Sequence, residues 1–411
     1  MKDGGNQLMK ILFCEGSSLS AREALSALGP QNHEIVICDP NPLCICRFTK
    51  FKTKYYKCPS INGDLEAYYN FIVRVIQKER IDILLPVHEQ ALLFSKRIHE
   101  LSKLVKLELP AFESYVQLFS KIKFTKLLDN LEIPHPRTIF CKDRNEVRKN
   151  IFYPCFLKLD YGTASQGVWK IDNEDDLDRA LETVSETGNE YLIQENAQGV
   201  FEIAYALYNK GSLIAFHCCQ RLREGAGGSS CSKIGIDRPV VRQHFEKIGK
   251  ELAWHGPLAI DYFYDENHNV PYYIDASPRL VEPMNAAING VNIPEYLVQL
   301  SNNNTSIIPV SRTAGKKSHM LMLALFYLAD KNGSKKALVH EFFSALRAEG
   351  IYADSVEELT NAKNDVLSLV PLMFVLSKLI FSKASSGAIS GSTVMNYALS
   401  YQTISKILEM K

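Results

Sequence analysis

The stretch Tyr153-Pro-Cys-Phe-Leu-Lys158-Leu-Asp-Tyr-Gly162-Thr-Ala-Ser-Gln-Gly167-Val168 decides how this chain is read. A short apolar strand carries one lysine and runs into a loop of small residues bounded by two glycines. Such a unit can set an ammonium and several backbone N–H groups around a polyphosphate, where both neutralise negative charge. The same residues also suit a buried strand lysine beside an ordinary turn. The neighbours in sequence must decide.

Downstream, Tyr191-Leu-Ile-Gln194-Glu195-Asn196-Ala197-Gln-Gly199-Val-Phe-Glu202 is an apolar strand that ends in Glu195, passes a glycine and reaches a second acid. A strand entering a linker in this way can hydrogen-bond an adenine edge through its backbone while a carboxylate accepts from ribose hydroxyls. Further on, Asp261 and Asp275 fall on two expected strands joined by the polar turn Asp265-Glu-Asn-His-Asn269. A hairpin brings them together, and strand alternation lets one side present Asp261, Asp275 and Ser277 as oxygen donors. Carboxylates with open positions for phosphate suit magnesium, which keeps waters and substrate phosphates as ligands. Two solvated acids on an exposed hairpin are the other reading of the pair. Arg279, just past Pro278, offers a guanidinium to a phosphate or carboxylate.

Outward from these segments the pattern sets the organisation. Residues 1–112 alternate strand and helix signals: Lys10 to Cys14, a helix from Ala21 to Leu28, Glu34 to Cys38, a helix from Leu65 to Glu79, then Ile81 to Leu85. This βαβαβ order predicts a parallel sheet. Its first turn, Glu15-Gly-Ser-Ser-Leu-Ser20, is not the GxGxxG of a dinucleotide site. From 113 to 311 a helix over Ser120 to Leu131, closed by Ile133-Pro-His-Pro136, leads into a mixed α+β region whose later strands are antiparallel in character. Residues 312–411 read as mainly helical. The apolar run Val366 to Phe381 is too short for a comfortable membrane span and carries Pro371 and Lys378, so it reads as a buried helix.

Composition narrows the classes. The chain has 411 residues, 46% hydrophobic and 23% charged, with a formal charge of +1. That is ordinary globular material for two or three domains, without the field expected of a nucleic-acid binder. Ten cysteines at irregular spacing fit neither zinc knuckles nor a disulfide framework and read as small reduced hydrophobes. The first residues lack a signal-peptide layout, so a cytoplasmic protein is expected.

The order of the features resembles the ATP-grasp superfamily, most closely its branch with carbamoyl-phosphate synthetase large subunits, biotin carboxylase and carboxylate–amine ligases. Four blocks occur in the family's order: Ser120-Lys121 to Pro136, Pro154 to Gly167, Gln194 to Glu202, and Asp261 to Arg279, which ends in Ile-Asp-Ala-Ser-Pro-Arg. The resemblance implies a pre-ATP-grasp domain over 1–112 and an ATP-grasp domain over 113–311, with an ATP lid at about 150–200. It makes Lys121 and Lys158 phosphate-binding lysines and Gly162, Thr163, Ala164, Ser165, Gln166 and Gly167 the loop over the phosphates. Gln194, Glu195, Asn196 and Ala197 become the adenine hinge, and Glu202 the ribose acid. Asp261, Asp275 and Ser277 become the metal ligands, and Arg279 stands near the transferred phosphoryl group. Two residues depart from the family pattern: Asp275 replaces its glutamate and Ser277 its asparagine, which sets one carboxylate back by a methylene and leaves a weaker third ligand.

The implied chemistry is an ADP-forming ligation of a small carboxylate to an amine through an acyl phosphate, using ATP and Mg2+, with Mn2+ as a substitute. The segment His217 to Ser230 then reads as an acceptor-substrate loop, with Arg221 and Arg223 holding a carboxylate or acyl phosphate. Solvated arginines at a hairpin tip are the alternative. Activation of bicarbonate, and ATP binding without turnover, are the two competing functions. Expected partners are small-molecule carboxylate and amine substrates, with a homodimer as one option and neither nucleic acid nor a transmembrane span.

Overall fold

Apolar residues placed at periods of two and of about 3.6 fold this chain around three sheets. The computed structural model describes residues 8–162, 167–184, 190–303, 315–331, 333–381 and 398–410. The first sheet holds β1 (Lys10–Phe13), β2 (Glu34–Asp39), β3 (Lys52–Lys57) and β4 (Ile83–Leu84) in the order β3-β2-β1-β4. All its pairings are parallel. Ile11 and Phe13 pack toward α1 (Leu19–Leu28), whereas Leu12 and Cys14 pack toward α2 (Leu65–Glu79). Helices on both faces explain why β1 reads as a continuous apolar run.

Two short helices, α3 (Gln90–Lys96) and α4 (Ile98–Leu101), lead to α5 (Phe112–Phe119) and α6 (Lys121–Asn130). A small antiparallel sheet follows. Its strands β5 (Thr138–Cys141), β6 (Cys155–Leu159), β7 (Val168–Ile171) and β8 (Tyr191–Glu195) lie in the order β5-β8-β6-β7. Leu157, Ile171 and Ile193 bury one face of it against Val147 of α7 (Arg144–Asn150) and Leu177 of α8 (Glu174–Glu182).

The third sheet has seven strands in the order β13-β12-β9-β10-β11-β14-β15. They are β9 (Val200–Asn209), β10 (Ser212–Glu224), β11 (Ser230–Ile236), β12 (Gly256–Asp265), β13 (Val270–Ser277), β14 (Lys317–His319) and β15 (Ser355–Glu357). Ala204, Phe216, Ile260 and Tyr262 cover one face together with Phe124 of α6 and Phe245 of α9 (Pro239–Glu251). The opposite face sends Ile203, Tyr205 and Ala259 into the cluster that holds Ile11 and Leu25, so the first and third sheets share a core.

The region after 312 is less purely helical than its sequence suggests. After α10 (Met284–Ile288) and α11 (Ile293–Ser301), helices α12 (Leu321–Asp330), α13 (Lys335–Leu346) and α14 (Leu369–Phe381) are present, and a terminal helix spans Tyr401–Glu409. Yet β14 and β15 extend the seven-stranded sheet through antiparallel and parallel pairings respectively. At three residues each they are too short to show a period of two. The region is also locked to the first sheet's helices. Arg22 of α1, fully buried, donates Nη2 to Asp365 Oδ2 at 3.0 Å and Nε to Leu359 O at 3.2 Å. Replacing Asp365 with Ala strands a buried guanidinium, and urea unfolding should show a loss of about 3–5 kcal/mol.

Candidate active site

Alternation along β6 sends Leu157 into the small sheet's core and turns Lys158 the other way, toward the large sheet. Lys158 Nζ donates to Gln194 Oε1 at 2.7 Å and to Ile274 O at 3.0 Å, so a single ammonium bridges the two sheets. Burial pulls its pKa down to about 8, against the opposing pull of Asp275. Gln194 is held in turn by its Nε2, which donates to Thr138 Oγ1 at 3.1 Å.

Asp160, two residues after Lys158, fixes the second lysine. Its Oδ1 accepts from Ser120 Oγ at 2.7 Å and from Ile122 N at 2.9 Å, and its carbonyl accepts from Lys121 N at 3.1 Å. A carboxylate at a helix N-terminus is favoured by the orphan N–H groups there. It docks the start of α6 onto the lysine strand. Lys121 Nζ then reaches Asp275 Oδ1 at 3.0 Å.

Asp261 and Asp275 stand directly opposite each other in the β12–β13 ladder, and Ala259 stands opposite Ser277. Partners across such a ladder share a face, so both carboxylates and the Ser277 hydroxyl line one side. Burial, reinforced by the Asp275 charge, pushes the Asp261 carboxyl up to about 7. Two carboxylates and a hydroxyl, with one acid strained by its like-charged neighbour, fit a hard divalent cation that keeps further oxygens from water or phosphate. The described residues contain no cluster of three His, Cys, Asp or Glu side chains suited to a metal, so protein ligands alone do not complete the shell.

Arg279 closes the far end. Its Nε and Nη2 both lie 3.2 Å from Glu89 Oε1, and Nη1 donates to Val87 O at 3.3 Å. Both partners belong to the loop after β4, so the first sheet positions this guanidinium. Lys121, Asp275, Ser277 and Arg279 line a cleft together with Gly162, Tyr115 and Glu89.

Other expected residues fall elsewhere. Glu195 is exposed at the end of β8, and the segment to Gly199 is the chain link between the small and large sheets, so a ligand could lie along its backbone. Thr163, Ala164, Ser165 and Gln166 lie outside the described residues, whereas Gly167 takes φ +80° and its carbonyl accepts from Leu159 N at 2.8 Å. Glu202 is not beside the aspartates. Ile203 is the partner of Asp261, so Glu202 faces the opposite side of the sheet. There it is fully buried and held by Arg238 Nε at 3.0 Å, while Arg238 stacks 3.7 Å over the Tyr264 ring.

Arg223 is likewise paired, with Glu341 of α13. Arg221 does share the face of Asp261, its guanidinium 4.3 Å from the Phe201 ring and its Nη1 donating to Gly228 O at 3.0 Å. Its ladder partner on β11, Lys233, escaped the sequence reading. Lys233 is wholly buried between Glu282 Oε2 at 2.8 Å and Glu358 Oε2 at 2.9 Å. The signal was a lysine two residues after Cys231 and two before Gly235, on the inward side of a strand. Glu89 was also missed, because its partner Arg279 is remote in sequence.

No family model matches the chain. Over 204 residues it is 31% identical to a D-alanine–D-alanine ligase from Flavobacterium psychrophilum, a stretch covering 44% of this chain and 61% of that protein. The matched stretches span from 10% to 61% of the length of such curated relatives. Among solved structures, the biotin carboxylase domain of Hydrogenobacter thermophilus 2-oxoglutarate carboxylase, crystallised with MgADP, ADP and bicarbonate, superposes with a TM-score of 0.56 at 18% identity. It covers 72% of this chain and 70% of that one. An L-amino acid ligase from Bacillus licheniformis gives 0.55 at 15% identity, covering 74% and 78%. At these identities the structural likeness speaks to fold. The proteins it is similar to are ATP-grasp ligases, and the chain shares their multidomain fold of parallel and antiparallel sheets with helices.

Proposed function

We propose that the chain is an ADP-forming ligase that joins a small-molecule carboxylate to an amine. The observation that carries this is the cleft lined by Lys121, Asp275, Ser277 and Arg279, with Asp261 opposite Asp275 in the ladder and the Lys158 ammonium within electrostatic reach of both aspartates. Phosphoryl transfer needs positioning and charge neutralisation rather than a protein nucleophile. The residues fit: every cysteine is buried, and burial raises the thiol pKa of each, so none offers a thiolate. Two of the similar proteins are named as ligases of amino acids.

In this reading the adenine lies along Glu195 to Ala197, with the phosphates held by Lys121 and Lys158. Asp261, Asp275 and Ser277 would hold Mg2+, or Mn2+ in its place, which when bound neutralises phosphate charge. A substrate carboxylate oxygen attacks the γ-phosphorus, the bond to the β-phosphate oxygen breaks, and ADP leaves. The amine then attacks the acyl carbon, phosphate departs, and the amine proton is released. Arg279, anchored by Glu89, faces the transferred group, while Arg221 stands on the acceptor side.

The test is ADP release from ATP and Mg2+ with pooled amino acids and small carboxylates. Substrate-dependent ADP and phosphate are expected, with Arg279→Ala slowing kcat at least about a hundredfold. AMP with pyrophosphate would refute the ligase, and tight ATP binding without release from any pool would favour a binding protein.

The pH dependence has two components of opposite sign. Lys158 is depressed below free lysine, so its ammonium is full below pH 8 and lost above. Metal-free ATP affinity should fall as pH rises through about 8, and Lys158→Met should weaken binding at least about tenfold and abolish that inflection. Asp261 is raised above free aspartate, so below about pH 7 it is neutral and a poor ligand. The Mg2+ requirement should therefore relax as pH rises through about 7, and Asp261→Asn should remove the dependence. Both follow from calorimetric titrations at several pH values.

A further inference from the structure

The apolar run from Val366 to Phe381 has no part in the cleft. Its inner residues Leu372, Val375, Leu376 and Leu379 pack with Met320 and Leu325, as expected of a buried helix. Its outer residues do not. Val366, Val370, Met373, Phe374 and Phe381 are 69%, 44%, 48%, 54% and 84% exposed. The neighbouring α13 adds Val339, Phe343 and Leu346 at 38%, 46% and 64%. An apolar face of this extent on one side of a molecule marks a binding surface rather than scattered exposure.

Charge says what it binds. Spacings of three and four residues place Lys335 and Lys336 on the stripe of Val339, Phe343 and Arg347, and place Lys378 between Phe374 and Phe381. Arg347 lies 5.7 Å from the Phe343 ring and Lys378 5.6 Å from the Phe374 ring. No Asp or Glu occurs in α14, and the single one in α13, Glu341, is committed to Arg223 and Tyr352. Glu349 and Asp354 come only after α13 has ended.

Basic residues interleaved with exposed phenylalanines and aliphatics, without a free carboxylate, complement a surface that is apolar within and anionic at its face. We propose that α13 and α14 dock the protein onto an anionic lipid bilayer, lying in the plane of its interface. A second copy is disfavoured, since a two-fold contact through this face would oppose like cations. Spanning is excluded for the described helices, because none is long and apolar enough to cross.

Co-sedimentation of the full chain with phosphatidylcholine vesicles, with and without about 30% phosphatidylserine, tests this. Binding to the anionic vesicles, weakened by salt, is expected. Phe374→Glu combined with Phe381→Glu should reduce it at least about tenfold, and Lys335→Ala or Lys336→Ala about fivefold each. Melting temperature and ATP affinity should stay unchanged in these variants, which separates the surface from the nucleotide site. Absence of binding to anionic vesicles, equal binding by the variants, or a concentration-dependent dimer that Phe374→Glu dissolves would overturn the proposal.

Discussion

Asp160 is the group on which the geometry of the cleft depends. By accepting from Ser120 Oγ and Ile122 N it fixes the first turn of α6 against the end of β6. Two lysines from separate elements thereby acquire one relative position. Without that contact Lys121 would be an N-terminal helix residue with a free side chain, and Lys158 a strand lysine with no neighbour of its own charge. The small sheet and α6 meet where this carboxylate sits.

Charge balance explains the arrangement. Burying ammonium groups costs several kcal/mol each unless they are paired. Lys121 is offset by Asp275, whereas Lys158 rests on a neutral amide and a carbonyl. Neutral acceptors satisfy the lysine without cancelling its charge, so an arriving anion still meets a net positive wall. Opposite, Asp261 shares a face with Asp275, and burial, reinforced by that neighbouring charge, holds its carboxyl up to about 7. A cleft with lysines on one wall and carboxylates on the other suits a metal–polyphosphate more closely than either ion alone.

The sequence disclosed the elements whose period was clean. β6 and β8 fall at Cys155–Leu159 and Tyr191–Glu195 as read, and α2 at Leu65–Glu79 as read, because each is a run of uniform type ended by a turn or cap. Tertiary pairing stayed hidden. Glu202 lies at a plausible distance along the chain from Glu195, yet the pleat of β9 turns it toward Arg238 on the other face. Arg223 looks free until Glu341 arrives from a helix far along the chain, and Lys233 looks ordinary until Glu282 and Glu358 enclose it. β14 and β15 carry too few residues to announce themselves, so the sheet's extension was invisible.

The proposed nucleotide site is the cleft between the lysine strand and the acidic hairpin. The most direct measurement is a crystal structure with Mg2+ and a non-hydrolysable ATP analogue. The β- and γ-phosphates are expected between Lys158 and the Asp261–Asp275 pair, with the adenine against Glu195 to Ala197. A nucleotide bound elsewhere, or the same cleft filled with Lys158 still bonded to Gln194 and Ile274 and no phosphate within reach, would contradict it.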